Sequence, residues 1–275
     1  MNQLLKQVLL VCVCLLALTG QAIADSLSDA KRAYHAKDFA KAASLYTPLA
    51  KRGNADAQTE LGVMYDNGQG VTQDYKEALK WFQLAAAQGN ADAQFNLGVM
   101  YDRGEGVHQS YKGAVKWFRL AAVQGNADAQ FYLGVMYDNG QGVPRDYKES
   151  VKWYQLAARQ GNAYAQFNLG MMYDNGRGVP QDYTEAVKWF RLAAEQGDAK
   201  AQANLGAKYD KGQGVSQDYA LAYMWANIAS AKAPASELQQ IVNYRDSIAK
   251  KMTAQQIAEA EELARKCTAK KFKGC

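Results

Sequence analysis

Residues 90–125 read NADAQFNLGVMYDRGEGVHQSYKGAVKWFRLAAVQG, and residues 162–197 read NAYAQFNLGMMYDNGRGVPQDYTEAVKWFRLAAEQG. The second stretch is the first again, two periods later. Gly53, Gly89, Gly125, Gly161 and Gly197 stand 36 residues apart, and so do Asp66, Asp102, Asp138, Asp174 and Asp210. Five units therefore run from Asn54 to Ala233, as 54–89, 90–125, 126–161, 162–197 and 198–233. A fixed period of this length is the signature of a repeat architecture.

Each unit predicts two helices. The first begins after Asn54, a good N-cap, with Asp56 in the first turn where its charge meets the helix dipole favourably. Ala57, Leu61, Met64 and Tyr65 recur at spacings of three and four and form its core stripe. The helix ends at Asn67-Gly68, because glycine accepts the left-handed conformation that closes a helix. After a tight Gly-x-Gly-Val turn, Asp74 caps the second helix, with Glu77 three residues on as a capping-box partner. Asp146 with Glu149 and Asp182 with Glu185 repeat the pattern. The second helix turns Tyr75, Ala78, Leu79, Phe82, Ala85 and Ala86 to one side and stops at Gly89. Trp81, Trp117, Trp153, Trp189 and Trp225 recur on it and supply large buried areas. Gly62, Ala78, Ala85 and Ala86 are small enough for helix backbones to approach closely.

One such hairpin cannot bury its apolar side alone, whereas stacked hairpins share a continuous core. The fold class is therefore all-α, an α/α superhelical solenoid. Residues 25–53 read as a degenerate N-terminal hairpin, in which Tyr34, Phe39, Ala42 and Tyr46 keep the spacing but the turn is shortened. Beyond Ala233 the motif is lost. Ser236–Lys250 and Thr253–Lys270 read as two further helices, making residues 234–275 a cap for the open end.

The first 24 residues read as a cleavable export signal. Lys6 precedes an apolar run from Val8 to Leu18, too short to span a bilayer, and Ala22-Ile23-Ala24 forms a small-x-small cleavage site. Cys12 and Cys14 lie inside the apolar run without the small residues of a lipidation site. The mature chain is expected to start at Asp25, to carry no transmembrane segment, and to work in the periplasm or outside the cell. The absence of an Asn-x-Ser/Thr sequon slightly favours a bacterial periplasm. The remaining cysteines, Cys267 and Cys275, are an even pair in an oxidising compartment, which points to a disulfide. The net charge of +5 is mild and spread along the chain, so nucleic acid is not indicated as a partner.

Catalysis finds no support in the residue pattern. The five aspartates of the first-helix ends recur in register, which suits a capping or turn role better than a unique acid–base pair. The Gly68-x-Gly70 pairs follow a helix and lack the Lys-Ser/Thr of a phosphate loop. His35 and His108 fall in different units with no nucleophile or second ligand nearby, and His108 belongs to a turn. No zinc-protease, Cys-x-x-Cys or Gly-x-Ser-x-Gly motif is present, so neither a cofactor nor a metal nor a catalytic residue is expected.

The consensus Ala-x-x-x-Leu-Gly-x-x-Tyr-x-x-Gly-x-Gly-Val-x-x-Asp-Tyr-x-x-Ala-x-x-Trp-Phe-x-x-Ala-Ala-x-x-Gly, complete in residues 57–89, resembles the Sel1-like repeat, a relative of the tetratricopeptide repeat. The resemblance covers about two-thirds of the chain. It implies a right-handed superhelix whose concave face is lined by the first helices, and adaptor or scaffold roles in protein complexes. The subgroup with one disulfide per repeat is not matched, since no repeat here holds a cysteine.

Positions that break the repeat are the informative ones. On the side of the first helix opposite the core stripe, the units present Asp56 and Glu60, then Asp92 and Asn96, then Asp128 and Tyr132, then Tyr164, Asn168 and Met171, then Lys200 and Asn204. This expected binding face runs from acidic to basic, ending near Lys208 and Lys211. Tyr132 and Tyr164 are either ordinary surface tyrosines or a hot spot of the kind a rigid aromatic makes among polar neighbours. The leading expectation is an exported, non-catalytic scaffold that binds a protein or peptide, or a component of the cell envelope. A cell-wall or β-lactam-binding or hydrolysing enzyme, which the resemblance keeps open, and a secreted host-interaction factor are the alternatives.

Overall fold

The structure, a computed structural model, describes residues 26–275. The expected export signal lies outside them. The described residues hold helices and no strand. The described residues divide into two compact units, one ending at Asn126 and the other spanning Ala127–Cys275.

In the first unit a helix over 26–35 (α1) precedes α2 (Phe39–Lys51), α3 (Ala55–Asn67), α4 (Tyr75–Ala87), α5 (Ala91–Arg103) and α6 (Tyr111–Val123). Successive helices pack as hairpins, α3 on α4 and α5 on α6, and each hairpin stacks on the last through α2–α3 and α4–α5 contacts. The degenerate hairpin keeps the register: α2 begins 36 residues before α4, and Tyr46 is buried where Phe82 is buried one period later. Only three residues separate α1 from α2.

The second unit continues the pattern with α7 (Ala127–Asn139), α8 (Tyr147–Arg159), α9 (Ala163–Asn175), α10 (Tyr183–Glu195), α11 (Ala199–Lys211) and α12 (Tyr219–Ser230), followed by α13 (Ala235–Ala249) and α14 (Ala254–Ala269). The motif is gone in α13, yet the register persists. This helix begins 36 residues after α11, and Ile241 is buried 36 residues after Leu205. Both α13 and α14 pack on α12. Met224 explains why α12 accepts α14. It is buried where the earlier second helices carry the exposed lysines Lys80, Lys116, Lys152 and Lys188, so the outer side of α12 is apolar.

Local chemistry fixes the helix ends. Asn54, Asn90 and Asn162 accept from the backbone N–H three residues on, and Gly68, Gly104 and Gly176 close their helices in the left-handed region. Asp74 accepts from the N–H groups of Lys76 and Glu77. The expected capping box is incomplete there, because the Glu77 carboxylate turns to Lys80 at 3.2 Å. Glu149 and Glu185 likewise pair with Lys152 and Lys188. A complete box occurs at Thr253 and Gln256, which opens α14.

The core is built from close approach. A Cβ on Gly62 would stand 2.6 Å from the Phe82 ring, and one on Gly98 would stand 2.4 Å from the Phe118 ring. Glycine at this position thus lets the two helices of a hairpin close over the aromatic. Gly70 has a second reason: its φ is +71°, and a Cβ would strike the Phe39 carbonyl oxygen at 2.2 Å. Phe82, Phe118, Tyr154 and Phe190 are almost wholly buried, each worth about 1.5–3 kcal/mol of burial.

Candidate binding face

The side of the first helices facing away from the core stripe divides into three kinds of position. One kind holds neighbouring repeats together. The N-cap Asn90 donates through Nδ2 to Asp56 Oδ1 at 3.1 Å, Asn126 to Asp92 at 2.8 Å, and Asn162 to Asp128 at 2.9 Å. These three aspartates are exposed, but each already serves as the acceptor of an inter-repeat clamp. Asn96 and Asn204 turn back on their own helices, donating to the Asp92 and Lys200 carbonyls at 2.9 Å. Glu60 is half-buried, and burial pushes its carboxyl above the usual carboxylate range, with Lys31 opposing and Asp56 and Asp92 adding to the rise.

The second kind breaks the clamp. In the fourth repeat the aspartate becomes Tyr164, and in the fifth the N-cap asparagine becomes Asp198. Both partners of the former clamp change together, so Tyr164 faces no asparagine it cannot satisfy. Tyr164 is 65% exposed, the highest of any described aromatic residue. It lies 5.8 Å from the Phe131 ring, which Tyr132 meets edge-on at 5.3 Å. Tyr132 and Tyr164 thus share Phe131 as a common neighbour.

The third kind makes a hollow. Phe167, Met171, Ala203, Ala207, Ile241 and Tyr244 line a space of about 440 Å³ in the second unit, with Lys200, Asn204, Glu237 and Gln240 at its edge. It exists because α11 carries Ala203 and Ala207 where α7 carries Phe131 and Val135. Lys200 reaches Glu237 across the edge at 3.1 Å. Met171, Lys200 and Asn204 therefore belong to one site, with α13 supplying a wall that sequence reasoning assigned only to capping. The large-to-small changes at Ala203 and Ala207, and the 36-residue step from Leu205 to Ile241, were the signals that could have revealed it.

Lys208 corrects an expectation. It is not a cation of the binding face: it is buried, ion-paired with Asp174, and lies 4.6 Å from the Tyr183 ring centroid. It occupies the place of the core residues Met100, Met136 and Met172, so its charge is spent on the aspartate beneath it. The recurring aspartates also do more than end a helix. Asp210 accepts from Lys251 at 2.7 Å and from the Tyr244 hydroxyl at 3.0 Å, tying α13 to α11. Burial raises Asp66, Asp102 and Asp138 above the usual carboxylate range, against the opposing charge of Arg103 at the first two and of Arg177 and Arg145 at the third. Asp66 Oδ1 has no hydrogen-bond partner among the described residues.

Cys267 and Cys275 are bonded, with Cα atoms 5.7 Å apart. The loop they close seats Phe272 in the core, under the Lys232 ammonium at 4.4 Å. His35 and His108 are both exposed. Among the described residues, no helix is long and apolar enough to cross a membrane, and no three His, Cys, Asp or Glu side chains are grouped to hold a metal ion.

Helical hairpins stacked through amide and carboxylate clamps, with a varied face on the first helices, define a helical-hairpin repeat protein. The chain belongs to the Sel1 repeat family, within the tetratricopeptide-like superfamily: the Sel1 repeat model matches residues 55–90, 91–126, 127–162, 163–198 and 199–233. Each match begins one residue after the first residue of its unit as read from the sequence, and the fifth ends at the same residue, Ala233. Among solved structures, a Sel1 repeat protein from Oxalobacter formigenes is 35% identical, with 76% of this chain and 83% of that one covered and a TM-score of 0.71. A protective antigen present in uropathogenic Escherichia coli strains, which displays the same repeat fold, is 32% identical over 89% of this chain, with a TM-score of 0.59. This chain covers 60% of that protein's length. No curated protein sequence matches. The repeat fold supports a role in protein–protein interaction.

Proposed function

We propose that this protein is an exported, non-catalytic scaffold of the bacterial envelope or the cell exterior, holding a protein segment on the first-helix face of its second unit. One observation carries the reading. Where the repeat is otherwise in register, it breaks at Tyr164, Ala203 and Ala207, which gives α9 an exposed aromatic three residues before Phe167, itself a lining residue of the apolar hollow. An aromatic anchor next to an apolar recess with a polar edge is the composition of an interface hot spot. Export is supported by the Lys6–Ala24 pattern and by the bonded cysteine pair.

The test uses the hollow itself. Ala203→Phe restores the residue that α5, α7 and α9 carry at this position, so the fold tolerates it while the recess fills. Partners captured from envelope extract by the wild type should be lost by Ala203→Phe. Retention of the same partners would place the interaction elsewhere. Incubation with labelled penicillin separates the enzyme reading: a stable acyl adduct would contradict the non-catalytic assignment.

A further inference from the structure

The outer face of α6 differs from those of its counterparts. In α4, α8 and α10 a first-turn glutamate pairs with the lysine three residues on. In α6 that place is Gly113, and the helix holds no acidic residue at all. Ala114, Val115, Phe118, Ala121 and Ala122 take the buried side. Lys112, Lys116, Arg119, Leu120 and Val123 then fall on one arc of the opposite side, and all five are exposed. Val123, at 68%, is the most exposed large apolar side chain among the described residues, and Leu120 is 40% exposed. Val123 stands where the other units have Ala87, Arg159 and Glu195, so this apolar tip is particular to α6. The Lys116 ammonium lies 5.5 Å from the Trp117 ring centroid, and no carboxylate pairs with Lys112 or Lys116 among the described residues. One repeat earlier, α4 presents Leu84 at 45% exposure with Lys76 and Lys80 beside it.

We infer that the outer face of α6 docks the protein peripherally on an anionic phospholipid surface. Two chemistries are combined on one arc, and this occupant satisfies both. Phosphate groups complement the lysines, and the glycerol and upper acyl region takes Leu120 and Val123, as for helices that lie in an interface. The lysine stems cover apolar surface while their ammonium groups stay at the phosphate level. An acidic protein patch would match the charges but give Val123 no apolar partner. With no helix able to cross a bilayer among the described residues, the attachment is reversible and sensitive to salt. It uses second-helix residues, whereas the proposed segment site uses first-helix residues, so either can fail without the other.

The experiment is co-sedimentation of the protein, in the form the cell produces, with vesicles of phosphatidylcholine mixed with phosphatidylglycerol, and with vesicles of phosphatidylcholine alone. The wild type should sediment with the anionic vesicles and be released by high salt. Two lysines near such a surface together strengthen binding by roughly 30-fold, so Lys112→Glu/Lys116→Glu should lose at least that much. Lys148→Glu/Lys152→Glu on α8 changes net charge by the same amount and should bind like the wild type. Circular dichroism checks that both variants stay helical. The inference is overturned if the wild type does not sediment with the anionic vesicles, or if the α8 variant loses as much as the α6 variant.

Discussion

Gln88 Nε2 donates to Gln58 Oε1 at 2.8 Å, and the Gln58 amide in turn donates to the Ala50 carbonyl at 3.0 Å. One buried side chain therefore ties the second helix of its own repeat to the second helix of the repeat before. Gln124–Gln94, Gln160–Gln130 and Gln196–Gln166 repeat the bond at 2.7–2.8 Å. A buried amide with both of its groups bonded is favourable, and one left half-satisfied is costly.

Replacing Gln94 with leucine should therefore destabilise the chain despite adding apolar surface. The Ala86 carbonyl and the Gln124 amide each lose one hydrogen bond, keeping the Gly89 N–H and the Leu120 carbonyl as partners among the described residues. The expected loss is about 1–3 kcal/mol, read from the denaturation midpoint. An unchanged midpoint would show that water replaces the amide freely.

The series ends at Gln202. It donates to the Ala194 carbonyl at 3.1 Å, but its Oε1 has no partner among the described residues. The position that holds glutamine in the earlier repeats is Lys232, whose ammonium lies over Phe272. Lys232→Gln should supply the missing donor, a gain of about 0.5–1.5 kcal/mol against the cation–ring contact it removes. A variant less stable than the wild type would mean that the Phe272 contact is the stronger of the two.

Burial of Asp66 makes an acid-dependent prediction. Its carboxyl is raised by desolvation first and by Glu105 second, with Arg103 opposing. The folded chain thus holds this proton to higher pH than the unfolded chain, and stability falls as pH rises from the unfolded value of 3.8 through the raised folded value. At neutral pH the ionised group is a liability. Asp66→Asn should be slightly more stable than the wild type at pH 7, with the difference vanishing below the unfolded value. Urea denaturation across that range is the check, and a variant less stable at pH 7 would contradict it.

The disulfide closes a loop spanning a sequence separation of 8, which constrains little of the unfolded chain. Cys267→Ser/Cys275→Ser should lose about 2–3 kcal/mol. The loss should be local, because Phe272 and the end of α14 are what the bond holds in place. Hydrogen exchange should rise near the C-terminus and leave the first unit unchanged.

The helices and their N-cap residues were readable because they follow from local chemistry repeated five times, whereas the turn of Glu77 to Lys80 in place of a capping box was not. Asn54 and Gly68 announce the ends of α3, and Thr253 the start of α14. The placement of α13 was not readable from its residues, since Ile241 and Tyr244 share only a register with Leu205 and Lys208. For the expected binding face, the residues could be named from the sequence but their partners could not. Asp56, Asp92 and Asp128 lie there, but the asparagines that engage them sit 34 residues later, a pairing visible only when helices stack. Lys208 shows the same limit: a lysine at a core position signals a buried counter-charge, and only the fold names Asp174 as that charge.

Tyr132 and Tyr164 decide whether the aromatic group works. Both meet Phe131, but unequally: Tyr164 is mostly solvent-exposed, while Tyr132 is half-buried and edge-on to the ring. Tyr164→Ala should therefore leave the melting temperature nearly unchanged, and Tyr132→Ala should lower it modestly through the lost ring contact. Tyr154, wholly buried beneath Phe131, is the structural control; its replacement by alanine should destabilise by about 3–5 kcal/mol. For a partner segment anchored between the two tyrosines, truncating either should weaken binding by about 2 kcal/mol, or nearly thirtyfold. The discriminating variant is Tyr164→Ala, in which affinity should fall with no loss of stability. Wild-type affinity in Tyr164→Ala, measured by calorimetry with a captured partner, would remove this face from the binding site.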